Sequence, residues 1–169
     1  ARELLDNLQT YRGQTEILFA VDNTEEDVSE VASAISAMER VVLIRNRGNE
    51  GVARALNIGA ERALAEGCDY LLTMDQDSCA SPDMVPRMLS CVKGEEDGKI
   101  GIISPFHVTK SGGSPPSGVV CQEVMTPMTS GCLLNLDAYR EVGHFRDDLF
   151  IDFVDNEYCL RLRKRGFRV

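Results

Sequence analysis

Tryptophan is absent from this chain, histidine occurs twice, and aromatic residues make up only 6% of it. No apolar run approaches the roughly 18 residues a membrane-spanning helix needs. The opening residues, Ala1-Arg-Glu-Leu-Leu-Asp6, put charges where a secretory signal would need an apolar centre. The six cysteines, Cys68, Cys79, Cys91, Cys121, Cys132 and Cys159, include no C-x-x-C pair and no paired spacing, which argues against a zinc site. Their scatter fits reduced thiols in a cytosolic protein better than a disulfide framework. His107 and His144 are far apart and read as structural or solvated groups. Basic residues are also scarce: 18 Lys and Arg face 27 Asp and Glu, a net charge of −9. Phosphate contacts need a basic surface, so nucleic acid is not expected as a partner. A small anionic ligand remains compatible if a metal or local N–H groups neutralise it.

The 169 residues are 43% apolar and 27% charged, which suits one soluble domain, 1–169, with a sizeable core. Apolar runs alternate with amphipathic stretches. Leu4, Leu5 and Leu8 open a helix that stops near Gly13. Glu16–Val21 reads as a buried strand ending at Asp22-Asn23. A helix capped by Thr24 carries Val28, Val31, Ala32 and Ile35, and Val41–Ile44 is the next strand. After the turn-rich Asn46–Gly51, an Ala-rich helix runs from Val52 to a stop at Gly67. A strand then starts at Tyr70, and Ser81-Pro82 begins another helix. Gly94–Gly98 reads as a turn, Ile100–Ile103 as a strand, Lys110–Gly118 as a surface loop, and Val119-Val120 as a short strand. Cys132–Leu134 is the last apolar strand, Asp137 caps a short helix, and a final helix carries Val154, Tyr158 and Leu162. Strands alternating with helices predict an α/β fold with a largely parallel sheet, mixed toward its later strands.

Two acidic clusters stand out. In Tyr70-Leu-Leu-Thr-Met-Asp-Gln-Asp-Ser78, an apolar strand runs into Asp75 and Asp77 with Gln76 between them. Alternate side chains of a strand face one way, so the two carboxylates can share a point. Such a pair repels unless a cation or a proton sits between, and carboxylate oxygens suit Mg²⁺ or Mn²⁺. The second cluster, Leu149-Phe-Ile-Asp-Phe-Val-Asp-Asn-Glu157, heads the last helix, where the dipole favours acids. One of its acids can serve as a general base if it is fixed beside a hydroxyl. Together the clusters describe transfer from a nucleotide-activated donor, with a cation neutralising the departing diphosphate.

The motifs Ala20–Asn23, Asn49–Gly59, Gly67–Ser78, Thr129–Gly131 and Leu149–Arg161, in that order, resemble the family 2 inverting glycosyltransferases of GT-A fold. The closest likeness is to the rhamnosyltransferase-like branch of bacterial polysaccharide synthesis. The resemblance implies a Rossmann-like three-layer α/β/α domain with a mixed, mostly parallel sheet. It implies a nucleotide-diphosphate sugar as donor, with rhamnose or a related hexose as the sugar, and a saccharide or lipid-linked saccharide as acceptor. Asp22, Asn23, Gly51, Asn57, Gly59, Asp75, Gln76 and Asp77 match the nucleotide-sugar motifs, with Asp75 and Asp77 at a Mg²⁺ or Mn²⁺ ion. Asp155 matches the catalytic base, and Asp152 is the second candidate. Glu157 and Gly131 fall on the acceptor side, Glu157 as an acceptor-side or structural acid. Two features depart from the pattern: no nucleotide-holding strand precedes Leu4, and Glu25 stands where a small residue is common. A catalytic fragment lacking the first strand and a C-terminal region is therefore expected, consistent with a chain that has no initiator Met and stops at Phe167-Arg-Val169.

The basic run Arg161, Arg163, Lys164, Arg165 and Arg168 complements a helix C-terminus and reads first as a solvated face. Its other reading is a patch for a lipid-diphosphate acceptor or an anionic membrane surface, giving a cytoplasmic protein at the inner face of the membrane. A haloacid-dehalogenase-type phosphatase also ends an apolar strand in D-x-D, with the first Asp as nucleophile. That nucleophile normally ends the first strand of its domain, whereas two strands precede this one. An inactive sugar-nucleotide-binding module is the non-enzymatic alternative.

Overall fold

A computed structural model describes residues 2–93, 99–109, 112–113, 118 and 121–169. The turn expected at 94–98, the strand at 119–120 and most of the 110–118 loop lie outside those residues. The elements run α1 (Arg2–Arg12), β1 (Leu18–Asp22), α2 (Ser29–Ser36), β2 (Val41–Arg45), α3 (Val52–Ala65), β3 (Tyr70–Leu72) and α4 (Met84–Lys93). Then follow β4 (Ile102–Ile103), β5 (Leu133–Asn135), α5 (Leu136–Val142), a single 3-10 turn over Asp147–Leu149, and α6 (Val154–Lys164). β1 and β2 pair in parallel, from Leu18 opposite Val41 to Asp22 opposite Arg45. β5 lies between β3 and β4 and is antiparallel to both. Among the described residues the pairings thus form two sheets, a parallel pair β1-β2 and an antiparallel set β3-β5-β4, so the α/β fold and both kinds of pairing expected from the sequence are seen, but in separate ladders rather than one mostly parallel sheet. β5 is reached through a long connection whose described residues hold no helix, which leaves it free to run against its neighbours.

Strand alternation sorts the core into two layers. Phe19, Leu71 and Leu134 face one way, onto a cluster built from Ala53, Ala60 and Ala63 of α3, Tyr139 of α5 and Tyr158 and Leu162 of α6. Tyr70, Leu72 and Leu133 face the other way, onto Met84, Val85 and Met88 of α4. Leu18, Ala20 and Leu43 join that second face beneath Leu8 and Tyr11 of α1 and Ile35 of α2. Small alanines on α3 let its backbone lie close to the sheet. Burying each larger side chain here contributes about 1.5–3 kcal/mol.

Several local expectations are corrected. α2 begins at Ser29 rather than after Thr24. Thr24 Oγ1 accepts the Glu26 amide and Asp27 accepts the Ser29 amide, so these side chains close turns of their own before the helix can start. α4 starts at Met84, two residues beyond Pro82. The cap of α5 is Asn135, whose side chain accepts the amides of Asp137 and Ala138. Cys91 and Cys121 form a disulfide, against the reading of six reduced thiols; the fold joins cysteines 30 residues apart whose spacing carries no signature. Cys68, Cys79, Cys132 and Cys159 are free. No helix among the described residues is long and apolar enough to cross a membrane.

Candidate functional site

β3 ends at Leu72, so Asp75 and Asp77 stand in the turn after it and not on the strand. Strand alternation therefore does not bring them together; the turn does. The Ser78 amide donates to the Asp75 carbonyl (3.1 Å), closing the turn. Burial pushes the Asp75 carboxyl above the usual aspartate range, the Asp77 charge adds to that, and His107 opposes it. Two carboxylates that repel across a short turn are a donor set for a hard divalent cation. Among the described residues no group of three His, Cys, Asp or Glu side chains could hold a metal ion. The chain thus offers two carboxylates, and Mg²⁺ or Mn²⁺ bound there would take its remaining ligands from phosphate and water, as such ions ordinarily do.

Three other segments fix this turn. From α1, Asn7 donates to the Gln76 carbonyl (3.1 Å) and Thr10 Oγ1 accepts the Ala80 amide (2.9 Å), and just beyond the helix Gln14 bridges the Ser81 carbonyl and the Val85 amide. From the loop before β5, buried Ser130 accepts the Asp75 amide on its hydroxyl (3.0 Å) and donates to Ser78 Oγ (2.9 Å). From the segment after β4, His107 Nε2 lies 2.7 Å from the Ser130 carbonyl. Ser130 lies within the Thr129–Gly131 motif, and His107 is a structural group here, one of the two readings the sequence offers for it. Gly131 is buried, donates to the Thr73 carbonyl (2.6 Å), and has φ +79° with Pro105 Cγ 3.0 Å from where a Cβ would be. It packs against Thr73 and Pro105, beside the turn.

The residues that the resemblance puts on the nucleotide side are each tied to other parts of the chain. Asp22, at the C-terminal end of β1, pairs with Arg45 (3.0 Å) at the end of β2. Asn23 organises the loop that follows β2: its amide donates to the Gly51 carbonyl (2.9 Å), and its oxygen accepts from Asn46 (3.0 Å) and the Glu50 amide (2.9 Å). Asn57 is 0% exposed and its side chain is fully committed. It donates to the Phe145 carbonyl (2.9 Å) and Asp147 (2.7 Å), and accepts from the Phe145 amide (2.9 Å) and the Tyr139 hydroxyl (3.0 Å). So committed, Asn57 straps the segment leading into the second acidic cluster onto α3. Gly59 faces Leu71 at ordinary van der Waals distance and serves helix–strand packing.

That second cluster is anchored on α3 as well. Phe150 has φ +60° and ψ −71°, and the Ile151 amide donates to the Leu149 carbonyl (2.7 Å), a rare γ-turn that costs on the order of 1–3 kcal/mol. Its carbonyl is thereby aimed at the start of α3, where it accepts the Val52 (2.7 Å) and Ala53 (3.2 Å) amides. The helix end gains the partners it lacks, and the strain is offset. Phe153 is also left-handed (φ +63°), immediately before α6. A Cβ on Gly51 (φ +84°) would lie 2.6 Å from the Phe150 carbonyl oxygen and 2.7 Å from its ring. Gly51→Ala is expected to cost about 2–4 kcal/mol, strain plus overpacking, and to lower the Tm by on the order of 10 °C. Gly67→Ala, with φ +75° and open space around it, is the control. Thermal unfolding of the pair should show a much smaller loss at Gly67, about 1–2 kcal/mol.

Asp155 lies in the first turn of α6, accepts the Asn156 amide (2.8 Å), and lines a small cavity of about 20 Å³ with Thr73, Thr129, Cys132, Tyr158 and Cys159. Thr73 and Thr129 are the residues that flank the D-x-D turn and its Ser130 support. Burial drives the Cys132 thiol up to about 12, and both Asp155 and Asp75 add to that shift. One buried thiol thus feels an acid from each cluster. Cys159, also pushed up to about 12 by burial, stays a neutral thiol beside Asp155. Asp152 is exposed in the turn before α6. Glu157 is occupied by a bidentate pair with Arg161 (2.7 and 2.9 Å), and Arg161 in turn holds the Val142 and His144 carbonyls and lies over the Tyr158 ring. That arrangement is the structural alternative for Glu157. It also draws Arg161 out of the basic run, as Glu123 and the Val124 carbonyl do for Arg163.

The sequence model described as "Glycosyl transferase family 2" matches residues 2–116, which contain Asp22, Gly51, Asp75 and Asp77. The "dTDP-rhamnosyl transferase RfbF" of Shigella flexneri is 30% identical over 157 residues, covering 80% of this chain and 50% of that protein. The chain spans about half the length of the curated relative it matches.

Proposed function

Given that this chain belongs to glycosyl transferase family 2 and has the α/β GT-A fold of that family, we propose that it forms the donor-binding and catalytic part of an inverting glycosyltransferase. The proposed donor is a nucleoside-diphosphate sugar. The relative's specificity makes dTDP-rhamnose the first candidate, and a saccharide or lipid-linked saccharide would be the acceptor. The observation that carries this reading is the convergence of distant parts of the chain: Asp155 shares a small cavity with Thr73, which leads into the Asp75 turn, and with Thr129, which adjoins the Ser130 support of Asp75.

In this reading Asp75 and Asp77 hold a divalent cation. The bound cation would neutralise the diphosphate that departs with the C1–O electron pair. Asp22 and the Asn23-ordered loop sit on the nucleotide side. Asp155 accepts the proton of the acceptor hydroxyl as its oxygen forms the new bond to C1 from the face opposite the diphosphate, which inverts the anomeric centre. Asp152 is the second candidate for the base, and its exposure counts against it, because a base works best where bulk water is excluded. Asn57 and the Phe150 carbonyl anchor the segment that leads to both.

A thermal-shift screen of nucleoside diphosphates with and without Mn²⁺, on the full-length protein, tests donor binding. The expected result is a shift with deoxythymidine diphosphate that requires the metal. Metal-dependent binding without glycosyl product would favour a binding module. Phosphate released from monoesters with Mg²⁺ and no acceptor would favour a phosphatase.

A further inference from the structure

We propose that His107 is a positioning residue of the donor site: its ring N–H holds the Thr129-Ser130-Gly131 turn in place and so fixes where Asp75 stands. The inference rests on the donor-site reading for its functional consequence, but not for its structural content. A carbonyl oxygen only accepts, so the 2.7 Å contact from Nε2 to the Ser130 carbonyl requires the proton on Nε2. Ser130 is 5% exposed, and its hydroxyl holds both ends of the D-x-D turn, accepting the Asp75 amide and donating to Ser78 Oγ. The same loop is laced to β3 and its exit. Thr73 Oγ1 donates to the Thr129 carbonyl (2.5 Å), the Thr73 amide to the Cys132 carbonyl (2.9 Å), and the Gly131 amide to the Thr73 carbonyl.

Those bonds all come from the 73–78 side. His107 comes from elsewhere, the segment following β4, and Pro105 of that segment presses on Gly131, where a Cβ would lie 3.0 Å from Pro105 Cγ. Ser130 is thus held between two parts of the chain, and the hydrogen bond from His107 is the directional contact on the second side. Without it the Ser130 carbonyl can rotate, and the hydroxyl that carries the Asp75 amide moves with it. A lone histidine far from any motif carries no sign of this in the sequence.

The test compares His107→Ala and His107→Gln in the full-length protein, because Gln keeps an N–H donor at a similar reach. Amide hydrogen exchange over residues 73–79 is read first. His107→Ala should speed exchange at Asp75 and Ser78 about five- to tenfold, the consequence of losing one hydrogen bond, and His107→Gln should stay near wild type. Binding of deoxythymidine diphosphate with Mn²⁺ is read second, by calorimetry, with a matching five- to tenfold loss expected in the Ala variant and a rise in donor KM at nearly unchanged kcat. Unchanged exchange in His107→Ala would overturn the proposal. So would a Gln variant as disturbed as the Ala variant, since the N–H would then not be the active feature. Altered exchange in a protein whose wild type binds no nucleoside diphosphate would support the positioning and overturn the donor-site reading instead.

Discussion

Asp155→Asn should lower glycosyl transfer by about 10³-fold, the range a positioned general base contributes, while leaving metal-dependent binding of the nucleoside diphosphate intact. The separation follows from where the residue sits. Asp155 is on the first turn of α6 and takes the Asn156 amide, outside the turn that holds Asp75 and Asp77. Asn keeps that acceptor and nearly the same volume, so the cavity shared with Thr73, Thr129 and Cys132 stays filled. What is lost is a site for the proton of the attacking hydroxyl. The effect should fall on kcat rather than on donor KM, because the carboxylate acts only as the new bond forms. Asp152→Asn is the companion variant. If the exposed Asp152 carries the chemistry instead, it will show the thousandfold loss and Asp155→Asn will not.

Asp75→Asn should do two opposite things. In the unliganded protein the Tm should rise only slightly, because Asp75 is exposed and solvent screens most of its cost. Burial and Asp77 raise the Asp75 carboxyl above its ordinary range, so the folded chain binds that proton more readily than the unfolded chain. Stability is therefore lost as pH rises from the unfolded pKa through the folded one, and the whole cost is present above the folded one. Asparagine removes it. With nucleoside diphosphate and Mn²⁺ the order reverses. A ligand at a hundred times its Kd contributes about 2.7 kcal/mol, a shift of about 5–10 °C for a chain of this size, and the variant should lose nearly all of it. The lost stabilisation exceeds the gained one several-fold, so differential scanning with and without ligand separates the two. A variant that keeps its ligand shift would remove Asp75 from the cation site.

Much of the architecture is legible in the sequence because it rests on local patterns. The apolar runs at Leu18–Asp22, Val41–Arg45 and Tyr70–Leu72 are strands, and the small-residue face of α3 packs on them as its alanines imply. Boundaries are less legible where polar side chains choose between a helix cap and a turn of their own, as Thr24 and Asp27 do ahead of α2. The acids of the site are visible as residue types, but their geometry is not: Asp75 and Asp77 lie beyond the end of β3. The contacts that are not legible all act across long stretches of chain. Asn57 spends its side chain on Tyr139, Phe145 and Asp147, Ser130 supports Asp75, and the Phe150 carbonyl caps α3. Cys91 and Cys121 are likewise joined only by the fold. None of these follows from spacing, since each partner is chosen by tertiary packing.

The division of labour between the acids is tested most directly by locating the cation itself. Crystals of the full-length protein grown with Mn²⁺ and deoxythymidine diphosphate would give an anomalous-scattering map of the metal. The peak expected lies on the Asp75 and Asp77 carboxylates and the nucleotide's phosphate oxygens, with Asp155 facing the same cleft and bearing no metal. A peak on Asp152 or Asp155, or a bound nucleotide with no metal between Asp75 and Asp77, would contradict it.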